Sequence, residues 1–229
     1  MTLSVRIGRW FLGTAIFFGS LLATTPEDPA GHEAFLRKDY AAAYRIWKPL
    51  ADRGDASAQF NLAILYERGL GVRQDTSEAY ALCRQAAAQG LTQAQVELGR
   101  MYARGWGTAQ RYGEALVWFE KAAQQGDRDG ERNLGWLYDQ GYGVARDYNI
   151  AAKWYRLAAD QGDAEGQYAL AKLYLDGNGV RKDPVQAYCL LTRAATANKK
   201  AADAILVLNR KLSPEQVAEG LKCSKAPAH

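Results

Sequence analysis

Residues 54–89 read GDASAQFNLAILYERGLGVRQDTSEAYALCRQAAAQ, and residues 90–125 read GLTQAQVELGRMYARGWGTAQRYGEALVWFEKAAQQ. Laid over one another without a gap, they share a frame that recurs twice more, at 126–161 and 162–198. Tyr66, Tyr102, Tyr138 and Tyr174 stand 36 residues apart, as do Gly69, Gly105, Gly141 and Gly177. Gly71, Gly107, Gly143 and Gly179 keep the same step. So do Ala79, Ala115, Ala151 and Ala187, and the alanine pairs that begin at Ala86, Ala122, Ala158 and Ala194. A fixed period of this length is the mark of a repeat architecture, in which each unit is one supersecondary element stacked on the next.

Within a unit the spacing predicts two helices. Over Ala56–Arg68, Ala58, Leu62, Ala63 and Tyr66 fall on one stripe, the i, i+4, i+5, i+8 pattern of an amphipathic helix. A Gly-x-Gly loop follows, where glycine accepts the positive φ that ends a helix. Asp75, Asp147 and Asp183 then stand where a second helix needs an N-cap acceptor, and Arg111 interrupts that column. In the second unit Ala115, Trp118, Phe119, Ala122 and Ala123 form the expected buried face, and Gly126 closes the helix as Gly54, Gly90 and Gly162 do elsewhere.

The flanks are irregular, as terminal units must be. Residues 26–53 read as an N-terminal capping half-repeat, with Gly31 to Lys38 as a short first helix and Ala43, Ile46, Trp47, Leu50 and Ala51 in second-helix columns. Residues 199–222 read as C-terminal capping helices. Ala202, Leu206 and Arg210 fill the Ala, Leu and Tyr columns there, and Ser213-Pro214-Glu215-Gln216 is a capping box with proline at the first helical position. Residues 223–229 are expected to be a flexible tail. Ahead of all this, Arg6 and Arg9 precede an uncharged, mostly apolar run from Trp10 to Ala23. Fourteen helical residues rise about 21 Å, short of the ~30 Å hydrocarbon core, so residues 1–25 read as a cleaved export signal rather than a permanent span. The expected location is therefore the periplasm or the exterior, with no stable membrane span after cleavage; the alternative is an uncleaved N-terminal anchor.

The pattern A-x-x-x-L-[AG]-x-x-Y-x-x-G-x-G, an aspartate, then A-x-x-[WL]-[FYL]-x-x-A-A-x-Q-G, resembles the Sel1-like repeat family, relatives of the tetratricopeptide repeat. The resemblance covers residues 54–198 column by column. It implies an all-α, right-handed α/α superhelical solenoid whose first helices line a concave groove. It also implies a non-catalytic adaptor or regulator of envelope complexes that binds a protein or peptide.

The residue inventory points away from catalysis. Only His32 and His229 exist, one in the N-terminal cap and one at the terminus, so neither a Ser-His-Asp nor a Cys-His site is indicated. There is no H-E-x-x-H and no paired C-x-x-C, so no metal or cofactor is expected. The formal charge is +4, and without residues 1–25 it falls to 27 basic against 25 acidic side chains. That near-balance is unlike a nucleic-acid binder. A cysteine-rich branch of the family is associated with binding and weak hydrolysis of β-lactams, which gives the alternative of a β-lactam or cell-wall-fragment binder. That branch pairs two cysteines in each repeat, whereas this chain has only Cys83, Cys189 and Cys223, and no S-x-x-K motif. Cys83 occupies the column of Trp47, Phe119, Tyr155 and Leu191 and reads as a small buried hydrophobe. Cys189 and Cys223 lie 34 residues apart, almost one repeat, and are a candidate disulfide across adjacent layers.

Carrying over the tetratricopeptide groove positions relative to the Leu and Tyr columns selects a partner surface. It comprises Phe60, Ile64 and Glu67; Val96 and Arg100; Asp129, Arg132, Trp136 and Asp139; and Glu165, Tyr168 and Lys172. Aromatics beside Arg and Lys suit an extended peptide. The competing reading is that Phe60, Trp136 and Tyr168 pack between layers and the charges form a solvated face. Trp106, within its Gly-x-Gly loop, is either a contact or loop packing. A monomer or weak oligomer is expected.

Overall fold

The structure, a computed structural model, describes residues 29–225. The expected export signal lies outside those residues. All regular structure among them is α-helical. Two compact units are formed, by residues 29–125 and by residues 126–225.

In the first unit α1 (Pro29–Leu36) and α2 (Tyr40–Asp52) make the capping pair. Two full repeats follow, α3 (Ala56–Arg68) with α4 (Thr76–Ala88) and α5 (Thr92–Arg104) with α6 (Tyr112–Gln124). The second unit holds α7 (Arg128–Gln140) with α8 (Tyr148–Asp160), then α9 (Ala164–Asp176) with α10 (Pro184–Ala194), and ends in α11 (Lys199–Leu208) and α12 (Pro214–Lys225). Each helix packs on its sequence neighbour within its unit up to α11, and α12 packs back on α10. The closing helix runs three residues past the expected Lys222, so part of the anticipated tail is helical; residues 226–229 lie outside the described set.

The loop motif has a separate task for each glycine. Gly69, Gly105, Gly141 and Gly177 are left-handed C-caps whose amides return to the carbonyls of Leu65, Met101, Leu137 and Leu173. The second glycine permits close approach: a Cβ on Gly71 would lie 2.8 Å from the backbone carbon of Tyr40, at the start of α2. Each loop is then fastened by an amide bonding to the column tyrosine's carbonyl: Asp75 to Tyr66, Arg111 to Tyr102, Asp147 to Tyr138 and Asp183 to Tyr174. Asp75, Asp147 and Asp183 each cap two amides of the second helix, and Arg111 caps none.

Layers are joined by apolar packing and by a relay of amides. The Gln59, Gln95 and Gln167 Nε2 atoms donate to the carbonyls of Ala51, Ala87 and Ala159, which lie in the last turns of the preceding second helices. Gln89 and Gln125 in turn donate to the Oε1 atoms of Gln59 and Gln95, each over 2.8 Å. This accounts for the glutamine in the A-A-x-Q-G motif. Hydroxyl pairs tie second helices to the next first helices in the same unit, Tyr44 to Tyr66 at 3.2 Å and Tyr80 to Tyr102 at 2.8 Å.

Inside each repeat the [AG] column and the aromatic column match in size. A Cβ on Gly99 would sit 2.5 Å from the Phe119 ring, and one on Gly135 would sit 2.8 Å from the Tyr155 ring. Where the column holds the larger Ala63 or Ala171, the opposing column holds the smaller Cys83 or Leu191. Cys83 is wholly buried, and its thiol donates to the Ala94 carbonyl. Trp118 differs from the expected buried face: it is half-exposed, with the Lys121 ammonium 4.0 Å from its ring centroid.

At the C-terminal end the sulfurs of Cys189 and Cys223 are bonded, with Cα atoms 5.6 Å apart. Arg193 Nη2 donates to the Cys223 carbonyl over 3.0 Å, and Gly220 lies against Tyr188. The capping box forms with both of its bonds, Gln216 N to Ser213 Oγ and Ser213 N to Gln216 Oε1.

Two outcomes follow from this packing. Gly99→Ala should destabilise the chain by about 2 kcal/mol through overpacking against Phe119, and adding Phe119→Leu should recover most of the loss. Additive losses in chemical denaturation would contradict the size match. Mass spectrometry of the unreduced, denatured chain after alkylation should find one modifiable thiol, Cys83, and three would exclude the bond.

Candidate partner-binding surface

In residues 29–125 the expected surface is largely internal. Phe60, Ile64 and Val96 are almost wholly buried, which corrects their reading as open contacts. The same apolar columns that line a tetratricopeptide groove serve here as filling within the stack. Glu67 and Arg100 remain half-buried. Arg100 donates to Glu97 Oε2 over 3.2 Å, and Glu97 in turn repels the Glu67 carboxylate. Burial first, and this repulsion second, push the Glu67 pKa up to about 7. Trp106 is half-buried with the Arg104 guanidinium 5.7 Å from its ring centroid.

Residues 126–225 present a different surface. Arg132 is buried, its Nη2 2.6 Å from Asp129 Oδ1 and its Nη1 2.6 Å from Asp163 Oδ2. Asp163 also caps α9 by accepting from the Gly166 amide. One carboxylate thus fixes a helix start and holds the arginine of the preceding repeat, so Asp129 and Arg132 form a floor rather than a contact surface. Asp139 accepts from the Tyr155 hydroxyl over 3.3 Å, which commits it to the second helix of its own repeat.

Outside this floor five of the expected residues keep accessible surface: Trp136, Asp139, Glu165, Tyr168 and Lys172. Trp136 is half-buried, edge-on to Tyr142 at 5.2 Å between ring centroids. Tyr168 is half-buried and, like Trp136, rests on the apolar cluster that includes Leu170 and Leu173. Lys172 is exposed, in the column that Trp136 occupies one repeat earlier. Glu165 lies half-buried nearby. Its pKa is pushed up to about 7, first by burial and then by Asp163, against the opposing pull of Arg132. Sequence reasoning passed over Glu131, which stands in the column of Gln59, Gln95 and Gln167. It is buried, accepts from Gln161 Nε2 over 2.8 Å, and has its pKa raised chiefly by desolvation. The acid standing in a glutamine column was the signal.

Among the described residues no cluster of three or more His, Cys, Asp or Glu side chains is arranged to hold a metal ion. None of the described helices is long and apolar enough to cross a membrane. The disulfide joins the last repeat to the closing helix, unlike the intra-repeat pairing of the cysteine-rich branch.

The raised acids make stability depend on pH with a defined sign. Glu67 and Glu165 hold protons more tightly folded than unfolded, so unfolding free energy should fall as pH rises from the ordinary carboxylate value through about 7. In melts between these limits Glu67→Gln and Glu165→Gln should each flatten the slope, and slopes equal to the parent's would refute the assignment.

The Sel1 repeat model matches residues 56–91, 92–127, 128–163 and 164–199. No functionally curated protein matches. Among solved structures the chain is similar to c5321, a protective antigen present in uropathogenic Escherichia coli strains that displays an SLR fold, with 34% identity and a TM-score of 0.73. That match covers 86% of this chain and 45% of the other, so the chain spans less than half of that protein's length. It is also similar to a Sel1 repeat protein from Oxalobacter formigenes, with 30% identity, a TM-score of 0.75, and coverage of 85% of this chain and 82% of the other. Four contiguous matched repeats, the helical pairs and these neighbours agree: the chain belongs to the Sel1 repeat family, whose members generally serve as protein-interaction scaffolds.

Proposed function

We propose that this chain is an exported, non-catalytic scaffold, periplasmic or secreted, that holds a protein or peptide partner as an adaptor or regulator of an envelope complex. The partner surface is the accessible part of α7 and α9. Its carrying observation is that Trp136, Tyr168 and Lys172 keep accessible surface on the two helices that the buried Arg132–Asp129–Asp163 ion pairs join. Two partly exposed aromatics give apolar contact at low entropic cost, and the free ammonium of Lys172 pairs with a carboxylate of the partner. The floor keeps the two helices in fixed register, so the contacts are preorganised. Export is supported by Arg6, Arg9 and the short apolar run after them, and by a disulfide that an oxidising compartment would maintain.

The test is in-cell crosslinking of the tagged chain with identification of the captured protein, repeated with variants. Lys172→Glu with Trp136→Leu, which retains apolar packing, should lower capture about tenfold while the helical spectrum persists. Arg132→Ala belongs to a different class: it strands two buried carboxylates and should cost about 3–5 kcal/mol of stability. Unchanged capture by the surface double variant would reject this surface.

A further inference from the structure

Cys189 sits on a helix face that stays open in the second helices of the other full repeats. Its column holds Ala81, Val117 and Lys153, of which the first is half-buried, the second 44% exposed and the third exposed. Arg193, one turn on, stands in the column of Gln85, Lys121 and Leu157, all exposed. In α10 this face is shut. Cys189 has no accessible surface, and Tyr188 keeps 4%, although the tyrosine of its column in the first repeat, Tyr80, is half-buried. The cover is α12, which packs on α10 through the Cys189–Cys223 bond, the Arg193 hydrogen bond to the Cys223 carbonyl, and Gly220 against Tyr188. The earlier repeats are therefore an internal control for α10 with its cover removed.

Little besides the bond holds α12 in place. Gly220 is its one buried residue; Val217, Cys223 and Ser224 are half-buried, and the rest are exposed. Val217 is its contribution to the apolar cluster of the unit, and Leu221 is 39% exposed. A helix of 12 residues is marginal in water unless packing adds to it. The cross-link, which spans 34 residues of chain, denies the end of the chain most of its freedom to leave α10. Exchange reaches the bond from one side, because Cys223 keeps accessible surface and Cys189 does not.

We propose that Cys189–Cys223 is a redox latch: bonded, it seats α12 on α10; reduced by a dithiol, it releases the helix and opens the face around Cys189. A thiolate of the dithiol attacks Cys223 Sγ, the S–S bond breaks, and Cys189 Sγ leaves with the electron pair and takes up a proton. The second sulfur of the dithiol, as thiolate, then displaces Cys223 Sγ, which is protonated in turn, and the reductant departs as a cyclic disulfide. Two electrons and two protons pass to the protein. In an oxidising compartment a disulfide donor reverses the exchange and closes the terminal layer. The latch goes beyond the scaffold reading and requires no partner on α7 and α9.

The purified full chain is reduced with dithiothreitol, freed of reductant and alkylated briefly while folded, with the modified cysteines located by mass spectrometry. Cys189 and Cys223 should react at rates within about tenfold of each other, while the buried Cys83 stays unmodified. In hydrogen exchange the amides of α12 should lose about a hundredfold in protection on reduction, and those of α8 and α9 should keep theirs. Cys223→Ser should leave Cys189 open to alkylation with no reductant added. The proposal is overturned if Cys189 stays shielded in the reduced chain or in Cys223→Ser, because α12 is then seated without the bond. It is equally overturned if reduction removes protection throughout residues 126–225, because the bond is then a staple of the whole unit. None of these readouts involves a partner, so failure of the latch is distinct from failure of the α7–α9 surface in crosslinking.

Discussion

The constraint on which the molecule depends is that no helical pair here can bury its own apolar stripe. Within a unit, a first helix gains cover from its own second helix and, where a layer precedes it there, from that layer. That double demand explains why the columns are filled by small residues wherever two backbones draw together and by one larger side chain wherever they part. It also bears on the constant length of the helices, since a residue inserted within one would rotate the rest of that helix's stripe by about 100° away from its partner. The amide relay answers the polar side of the same problem. The carbonyls of Ala51, Ala87 and Ala159, each already taking the amide of a following glycine, receive the Gln59, Gln95 or Gln167 side chain from the next layer as a second donor.

Most of the fold was legible because its instructions are repeated. Tyr, Gly-x-Gly and Ala-Ala at a constant step expose the unit, and the N-cap aspartates and the capping box at Ser213 lie in sequence motifs whose hydrogen bonds are local. The end of the chain was harder to read. Matching Ala202, Leu206 and Arg210 to first-helix columns suggested a continuing helix, but α11 stops at Leu208 and Arg210 lies beyond it. Column matching cannot say that the following helix will choose α10 over α11, because that choice depends on contacts far apart in sequence.

The candidate surface was less legible, for a physical reason. Positions were carried over from a related repeat on the assumption that the same columns face outward, yet the face of an apolar side chain is decided by how closely adjacent helices approach. Phe60, Ile64 and Val96 fill such an approach. Arg132 has the opposite problem: a charge suggests solvent, and its burial makes sense only once Asp129, one turn earlier, and Asp163, one repeat later, are brought to it. Asp163 could be read locally as a cap, but not as a counter-ion. Of the positions carried over, Trp136, Tyr168 and Lys172 keep accessible surface, as do the charged Glu67, Arg100, Asp139 and Glu165.

The disulfide has a mechanical consequence. A pull applied through the C-terminal tail passes from Cys223 directly to Cys189 and into α10, so the 34-residue loop containing α11 carries no tension. About 110 Å of extensible contour is thereby withheld from any load on that end. The terminal layer stays slack and intact while the repeats beneath it bear the force.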